Sequence, residues 1–426
     1  MKQVFFLVDC NNFYAACEQI FNPGLRNKPV IVLSNNDGCV VARSNQVKEL
    51  GIKLGTPVFK LEHLIKRFNI ELLSSNYALY ADMSRRVMKT LSALADEIEV
   101  YSIDEAFIGL KTDPDKVLAY AGKLKKIVER NTGISVSIGI GQTKTLAKIA
   151  NKIAKKQARW QGIFDLSQTS NMELDKILRT IKIADIWGIG PKSTDWLCSK
   201  GIKTAKDLKH FKDQGLLKKK LKINGFFTWR ELWRESCIKL QQGLVGKKQI
   251  VASRSFGKKV NTLKELEQAL ASYATTAAQK MRGQKSAAGM LIVFLGTNRF
   301  KVKEPQYFNS MVKFLQQPTA YTPKIIKTAF ETLRYLYRPG YNYKKIGIVL
   351  GNFQPLGLAQ TDLFGQFKKA AGRNRLMQVV DRINQQWGSS TLRYAACGIE
   401  KAWQMKQLRK SPRYTTSWEE LPVVKA

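Results

Sequence analysis

The chain has 426 residues, 44% of them hydrophobic, which is too long for one ordinary core and predicts two to four folded domains. Its 71 Lys and Arg against 33 Asp and Glu give a formal charge of +38, an excess that solubility does not require and that a polyanion answers. No apolar run of about 18 residues occurs, the six cysteines lack paired spacing and there are two histidines, which argues against a membrane span, a disulfide framework and histidine-based chemistry and predicts a cytoplasmic protein.

Residues 4–8 (VFFLV) are a run of bulky apolar side chains ending at Asp9. They predict a buried strand rather than a secretory leader, because Asp9 interrupts the run and no small-residue cleavage site follows. A second strand is predicted at 29–33, followed by the turn-rich Asn35-Asn36-Asp37-Gly38 and a helix over 44–50 stopped by Gly51. Met83, Val87, Met88, Leu91 and Leu94 recur at helical spacing. Residues 98–110 read as strand, bend at Ser102, strand; a helix over 116–130, a strand over 134–140 and a helix over 144–156 follow. That succession is a ferredoxin-like α/β sheet with an insertion after its first strand.

From residue 172 the chain turns short, helical and basic, with exposed connections at Lys218-Lys219-Lys220 and Lys247-Lys248. Strands at 250–256, 290–294 and 345–350 with helices between them predict a separate α+β module, and beyond about 355 the pattern is less regular. Charge follows the same division. Residues 1–170 carry a net +8, and 171–426 a net +30. The first part keeps its acids, and chemistry is expected there.

Asp9 closes one apolar strand, and Asp104-Glu105 lies between two apolar half-strands. A carboxylate beside a packed sheet is costly unless paired or bound to a cation. No local Lys or Arg is evident, so the three either hold a hard divalent metal such as magnesium or are strand-end carboxylates facing solvent. Both acids of the pair reach one ion only if the chain bends, since neighbours in a regular strand face opposite ways.

Five blocks decide between these readings: VDCNNFYAACE (8–18), SNNDGCVVARS (34–44), SSNYALYADMS (74–84), YSIDEAF (101–107) and SIGIGQTKTLAKIANKIAK (137–155). In this order they resemble the Y-family translesion DNA polymerases, and within them the UmuC type, the catalytic subunit of bacterial DNA polymerase V. The likeness continues through SRSFG (253–257) to SPRYTT (411–416). It implies a multidomain right-hand polymerase: a ferredoxin-like palm (1–19 and 80–170), small fingers (20–79), a helical thumb (171–247), a little finger (248–354) and a tail (355–426). The implied activity is error-prone, template-directed synthesis across damaged bases in the SOS response. Two Mg²⁺ ions would be held by Asp9, Asp104 and Glu105, with the Cys10 main-chain carbonyl as a further ligand.

The resemblance also assigns the nucleotide's neighbours. Tyr14 falls at the steric gate, where a ring under the sugar excludes a 2′-hydroxyl; without the family it would read as core packing. Phe13 matches a position whose amide cradles phosphate, and Lys48 and Lys155 match triphosphate-binding cations. Arg43 fits the UmuC pattern without indicating base or phosphate. Asn45 departs from the family, since many relatives carry a phosphate-binding tyrosine there.

Residues 186–192 (IWGIGPK) read as the hairpin of a helix–hairpin–helix, with Gly188, Gly190 and Lys192 at a DNA phosphate. Lys258 and Lys259 are expected to grip duplex backbone. Gln360-Thr361-Asp362-Leu363-Phe364 resembles a sliding-clamp-binding pentapeptide anchored by Gln360, Leu363 and Phe364. The UmuC-type tail after it implies contact with a UmuD′-like accessory dimer and RecA. Two other classes compete: a nucleotide cyclase, which also uses paired carboxylates on such a sheet, and a catalytically dead DNA-binding scaffold. The cyclase leaves the basic half and the hairpin without a purpose.

Overall fold

Strand β1 (Lys2–Cys10) alternates Val4, Phe6 and Val8 toward one apolar cluster and Phe5 and Leu7 toward another, so both of its faces are covered. That is why its sequence is a continuous apolar run rather than an alternating one. The computed structural model describes residues 2–241, 243, 246–356 and 367–421, and the chain divides into two compact units. The first comprises 1–34, 38–243 and 409–426, and the second 35–37 and 244–408.

In chain order the first unit continues with α1 (Phe13–Phe21), β2 (Val30–Leu33), β3 (Val40–Arg43), α2 (Asn45–Glu49), α3 (Glu62–Arg67) and β4 (Glu71–Ser74). Strands β3-β2-β4 form a small sheet over their own core. Then come α4 (Tyr77–Ser92), β5 (Glu97–Val100), β6 (Glu105–Thr112), α5 (Val117–Thr132), β7 (Val136–Gly141), α6 (Lys144–Lys156) and β8 (Ile163–Asp165). The main sheet runs β5-β6-β1-β7-β8, with β1 antiparallel to both β6 and β7, and β7 and β8 parallel. Leaving out β8, this is the ferredoxin-like order expected from the sequence.

Glycine decides how α6 is seated. A Cβ on Gly139 would lie 2.0 Å from the Asn151 backbone nitrogen, and one on Gly141 2.7 Å from that of Ala147. With no Cβ there, α6 lies directly on β7, and Asn151 Nδ2 donates to the carbonyls of Leu7 (3.2 Å) and Ser137 (2.8 Å). The helical remainder, α7 (Asn171–Arg179), α8 (Pro191–Ser199), α9 (Ala205–Lys209) and α10 (Gln214–Leu232), shares a core with α6. The buried Glu231 of α10 accepts from Thr145 N (2.9 Å) and Oγ1 (2.7 Å) in the first turn of α6, which favours negative charge there.

The second unit holds β9 (Ile250–Val260), α11 (Leu263–Gly283), β10 (Ser286–Thr297), β11 (Phe308–Thr319), α12 (Thr322–Leu336), β12 (Tyr343–Pro355) and α13 (Phe367–Gln386). Its sheet runs β11-β10-β12-β9 with antiparallel neighbours, and α11 and α12 pack on it over a single core. Strand β11 was not expected from the sequence, nor was a helix as long as α13. The tail also divides: 409–421 rejoins the first unit, with Ser74 N donating to Arg409 O at 2.9 Å. Among the described residues no helix is long and apolar enough to cross a membrane.

Candidate active site

The end of β1 and the start of β6 meet in register, with Asp9 directly opposite Glu105. Asp104 is adjacent, its carbonyl accepting from Cys10 N at 2.8 Å. The expected bend is present: Ser102 Oγ accepts from the backbone nitrogens of Asp104 (3.2 Å) and Glu105 (3.0 Å) and donates to Asp104 Oδ1 (2.6 Å). Three carboxylates are thus drawn to one end of the sheet, and Asp9 is 7% exposed.

They do not lack basic partners, which corrects the expectation from sequence. Lys155 Nζ is 2.5 Å from Asp9 Oδ1, and Lys148 Nζ is 3.0 Å from Glu105 Oε2. Both lysines come from α6, two turns apart on one face, and nothing near the acids in the chain announces them. Lys148 also stands over the rings of Tyr101 (4.5 Å), Trp187 (5.6 Å) and Phe107 (5.8 Å), a cage the sequence reading missed. With side chains turned onto these lysines and onto Ser102, no group of three or more His, Cys, Asp or Glu is assembled as metal ligands among the described residues.

The charge balance nevertheless favours a cation. Burial pushes Asp9 up to about 7 against the pull of Lys155, and Glu105 and Asp104 push the same way. The donors are hard carboxylate oxygens, and the Cys10 thiol is raised by burial and by Asp9 and Asp104, so it stays protonated. This donor set fits magnesium rather than a soft metal.

Asp9 and Asp104 line a cleft of about 400 Å³ together with Cys10, Asn12, Phe13, Tyr14, Arg43, Lys48 and Lys155, among others. Every nucleotide-binding residue expected from sequence is therefore on one cavity wall. Tyr14 stacks on Tyr80 (4.4 Å, 13°) and meets Tyr77 edge-on (6.1 Å). Phe13 opens α1 and is buried. Arg43 Nε is buried with no hydrogen-bond partner among the described residues. Burial lowers the Lys48 pKa, and the neighbouring cations Lys155 and Arg43 lower it further. Such a cluster of cations is relieved by an anion. Asn45 Oδ1 accepts from Asn12 Nδ2 (2.9 Å) and Lys48 Nζ (3.3 Å), so this departure from the family fills its place with a polar latch. The Asn12 side chain does not cap α1, whose first-turn N–H groups stay available.

The hairpin residues are exposed elsewhere in the same unit. Gly188 has φ 83°, and its missing Cβ would meet Thr228 Oγ1 at 2.8 Å; Gly190 caps α8, and Lys192 is in its first turn. In the second unit Lys258 pairs with Glu265 (3.0 Å) and Lys259 with Glu304 (3.2 Å), so neither is an unpaired cation. Gln360, Leu363 and Phe364 lie outside the described residues.

Comparison with known proteins finds similarity over nearly the whole chain. The impB/mucB/samB family matches residues 8–152, and the impB/mucB/samB family C-terminal domain matches 247–363. A domain of unknown function (DUF4113) matches 374–424. Protein UmuC of Salmonella typhimurium is 41% identical over 426 residues, covering 99% of this chain and all of that protein. A DNA polymerase IV of Picrophilus torridus is 33% identical over 210 residues, covering 48% of this chain and 58% of that protein. Among solved structures, a Y-family DNA polymerase chimera of Dbh and Dpo4 aligns with TM-score 0.66 at 22% identity, over 82% of this chain and 98% of that one.

Proposed function

The chain belongs to the impB/mucB/samB family, the UmuC type of Y-family DNA polymerase, and from that premise we propose how its residues copy damaged DNA. It is a DNA-directed DNA polymerase of translesion synthesis. The observation that carries the site assignment is the register of Asp9 opposite Glu105, with Asp9 and the adjacent Asp104 lining the cleft that also holds Tyr14.

In this reading Asp9, Asp104 and Glu105, with the Cys10 main-chain carbonyl, would hold two magnesium ions. When bound, the ions supply a lowered pKa at the primer 3′-hydroxyl and charge neutralisation at the triphosphate. The protein's own part is positioning. Lys155 and Lys148 balance the carboxylates in the free enzyme, and Lys155 is within reach of a triphosphate entering the cleft. Lys48, Arg43 and the first-turn amide of Phe13 complete an anion cradle. Tyr14, backed by Tyr80, underlies the sugar and excludes a 2′-hydroxyl.

The palm, fingers and thumb correspond to 1–19 with 80–170, 20–79 and 171–247, the little finger to 248–354 and the tail to 355–426. The hairpin at Gly188, Gly190 and Lys192 binds template or primer phosphates without regard to sequence. Gln360, Leu363 and Phe364 tether the enzyme to a sliding clamp, and the tail meets a UmuD′-like dimer and RecA in a cytoplasmic SOS response. Support for these tail contacts is the sequence alone.

The test is primer extension by the full chain with magnesium, on a template carrying an abasic site, with and without accessory subunits. Template-dependent insertion opposite the lesion is expected. Product without template, or none on any template, contradicts the reading.

A further inference from the structure

A segment from the far end of the chain reaches the two helices that carry Tyr14 and Tyr80. Tyr14 and Glu18 lie one turn apart on α1, and the buried Tyr80 of α4 engages both: its ring stacks on Tyr14, and its hydroxyl donates to Glu18 Oε1 at 2.6 Å. The Glu18 carboxyl is 1% exposed. Ser411 Oγ, 393 residues further on, donates to the same oxygen at 3.0 Å. Burial raises the Glu18 pKa, and the two hydroxyls draw it back. A buried carboxyl whose two hydrogen bonds come from hydroxyls depends strongly on each of them.

The same segment grips both helices. Asn76, the buried N-cap of α4, donates through Nδ2 to Ser411 O (3.1 Å), Ser411 Oγ (2.9 Å) and Pro412 O (3.0 Å). Tyr414 stacks on Phe21, the last residue of α1 (5.2 Å, 8°). α1 carries Tyr14, and α4 carries Tyr77 and Tyr80.

We propose that residues 409–414 are a strap that positions the sugar gate: Ser411 fixes Glu18, Glu18 fixes the Tyr80 hydroxyl, and the Tyr80 ring holds Tyr14 against the sugar. The inference rests on the reading of Tyr14 as the gate. Ser411 is a positioning residue, acting through two others, and it gives this part of the tail an internal role in choosing the substrate.

The experiment measures kcat/KM for dCTP and CTP opposite template dG in the full chain, for Ser411→Ala, Ser411→Thr, Tyr80→Phe and Tyr14→Ala, singly and combined. In Ser411→Ala, deoxynucleotide insertion should persist while the CTP-to-dCTP ratio rises about fivefold, the scale of one hydrogen bond. Tyr80→Phe should raise the ratio similarly, Ser411→Thr should restore it, and neither loss should add to Tyr14→Ala. A merely structural strap would depress both substrates alike. A ratio unchanged in both Ser411→Ala and Tyr80→Phe, or rises that add to that of Tyr14→Ala, overturns the strap. An unchanged ratio in Tyr14→Ala itself overturns the gate and the strap with it.

Discussion

The two larger sheets of this protein share a core string of elements and place their charged strand ends differently. Leaving out the segment between β1 and α4 and the appended α6 and β8, each runs strand, helix, strand, strand, helix, strand, yet the orders are β5-β6-β1-β7 and β11-β10-β12-β9. In the first, the opening strand β1 is central, so its last residues have a neighbour on each side: Asp9 faces Glu105 on β6 and Ser137 on β7. In the second, the opening strand β9 is at the edge, and its end carries Lys258 and Lys259, both exposed and both paired with acids. Where a strand sits in the sheet, more than what precedes or follows it in the chain, decides whether its end can gather charges into a site. The central position costs desolvation, which pushes Asp9 up to about 7, and a cation bound as proposed would relieve that cost.

The harshest way to break the comparison is to neutralise the centre of the first sheet. Asp104→Asn should lower primer extension by a factor of about 10³ or more, the scale of losing a group that stabilises developing charge, and leave DNA affinity nearly intact. Glu105→Gln should also be severe. Near-normal turnover in either variant removes the carboxylates from the chemistry.

A second test addresses the seat of α6. Gly139→Ala brings a Cβ within 2.0 Å of the Asn151 nitrogen and 2.3 Å of the Ala147 carbonyl oxygen, both backbone. The helix must move, at about 1–3 kcal/mol, taking Lys148 and Lys155 away from the acids. In the second sheet, Gly351→Ala meets Met290 Cε at 2.8 Å, the free end of a flexible side chain, and should be tolerated. Thermal denaturation of the two variants compares them directly; equal losses would mean that the close approach at Gly139 is not what seats α6.

These glycines also mark the limit of what the sequence disclosed. Apolar periodicity identified β1, β7 and α6, the last with its boundaries, because helices cover both faces of the first sheet. The carboxylates stood out as charges ending apolar runs. Their partners did not, since pairing Lys155 with Asp9 requires α6 to lie on β7, a fact carried by two residues without side chains. Strand β11 escaped notice because its residues are largely exposed and its pattern mixes Phe, Lys and Gln, and α13 because its sequence is mostly polar and basic. Ser411 stood out only as the first residue of the SPRYTT block, with no role attached; its contact with Glu18 depends on the chain returning to the first unit.

The smallest effect is expected at the edge of the second sheet. Changing Lys258 and Lys259 to alanine should weaken DNA binding modestly, with the salt dependence flattening by less than about 0.9 for each lysine, because both are already committed to Glu265 and Glu304. The slope of log affinity against log salt measures this. A full loss at each site would show that the acids release both lysines to phosphate.

The central claim is that the β1–β6 junction is the cation site of the polymerase. Its most direct test counts Mn²⁺ bound to the chain by electron paramagnetic resonance, with primer-template and a non-hydrolysable deoxynucleotide present, in the native protein and in Asp104→Asn. The account predicts two ions per native chain, and loss of binding in the variant while DNA remains bound. An equal number of ions in both proteins would contradict it.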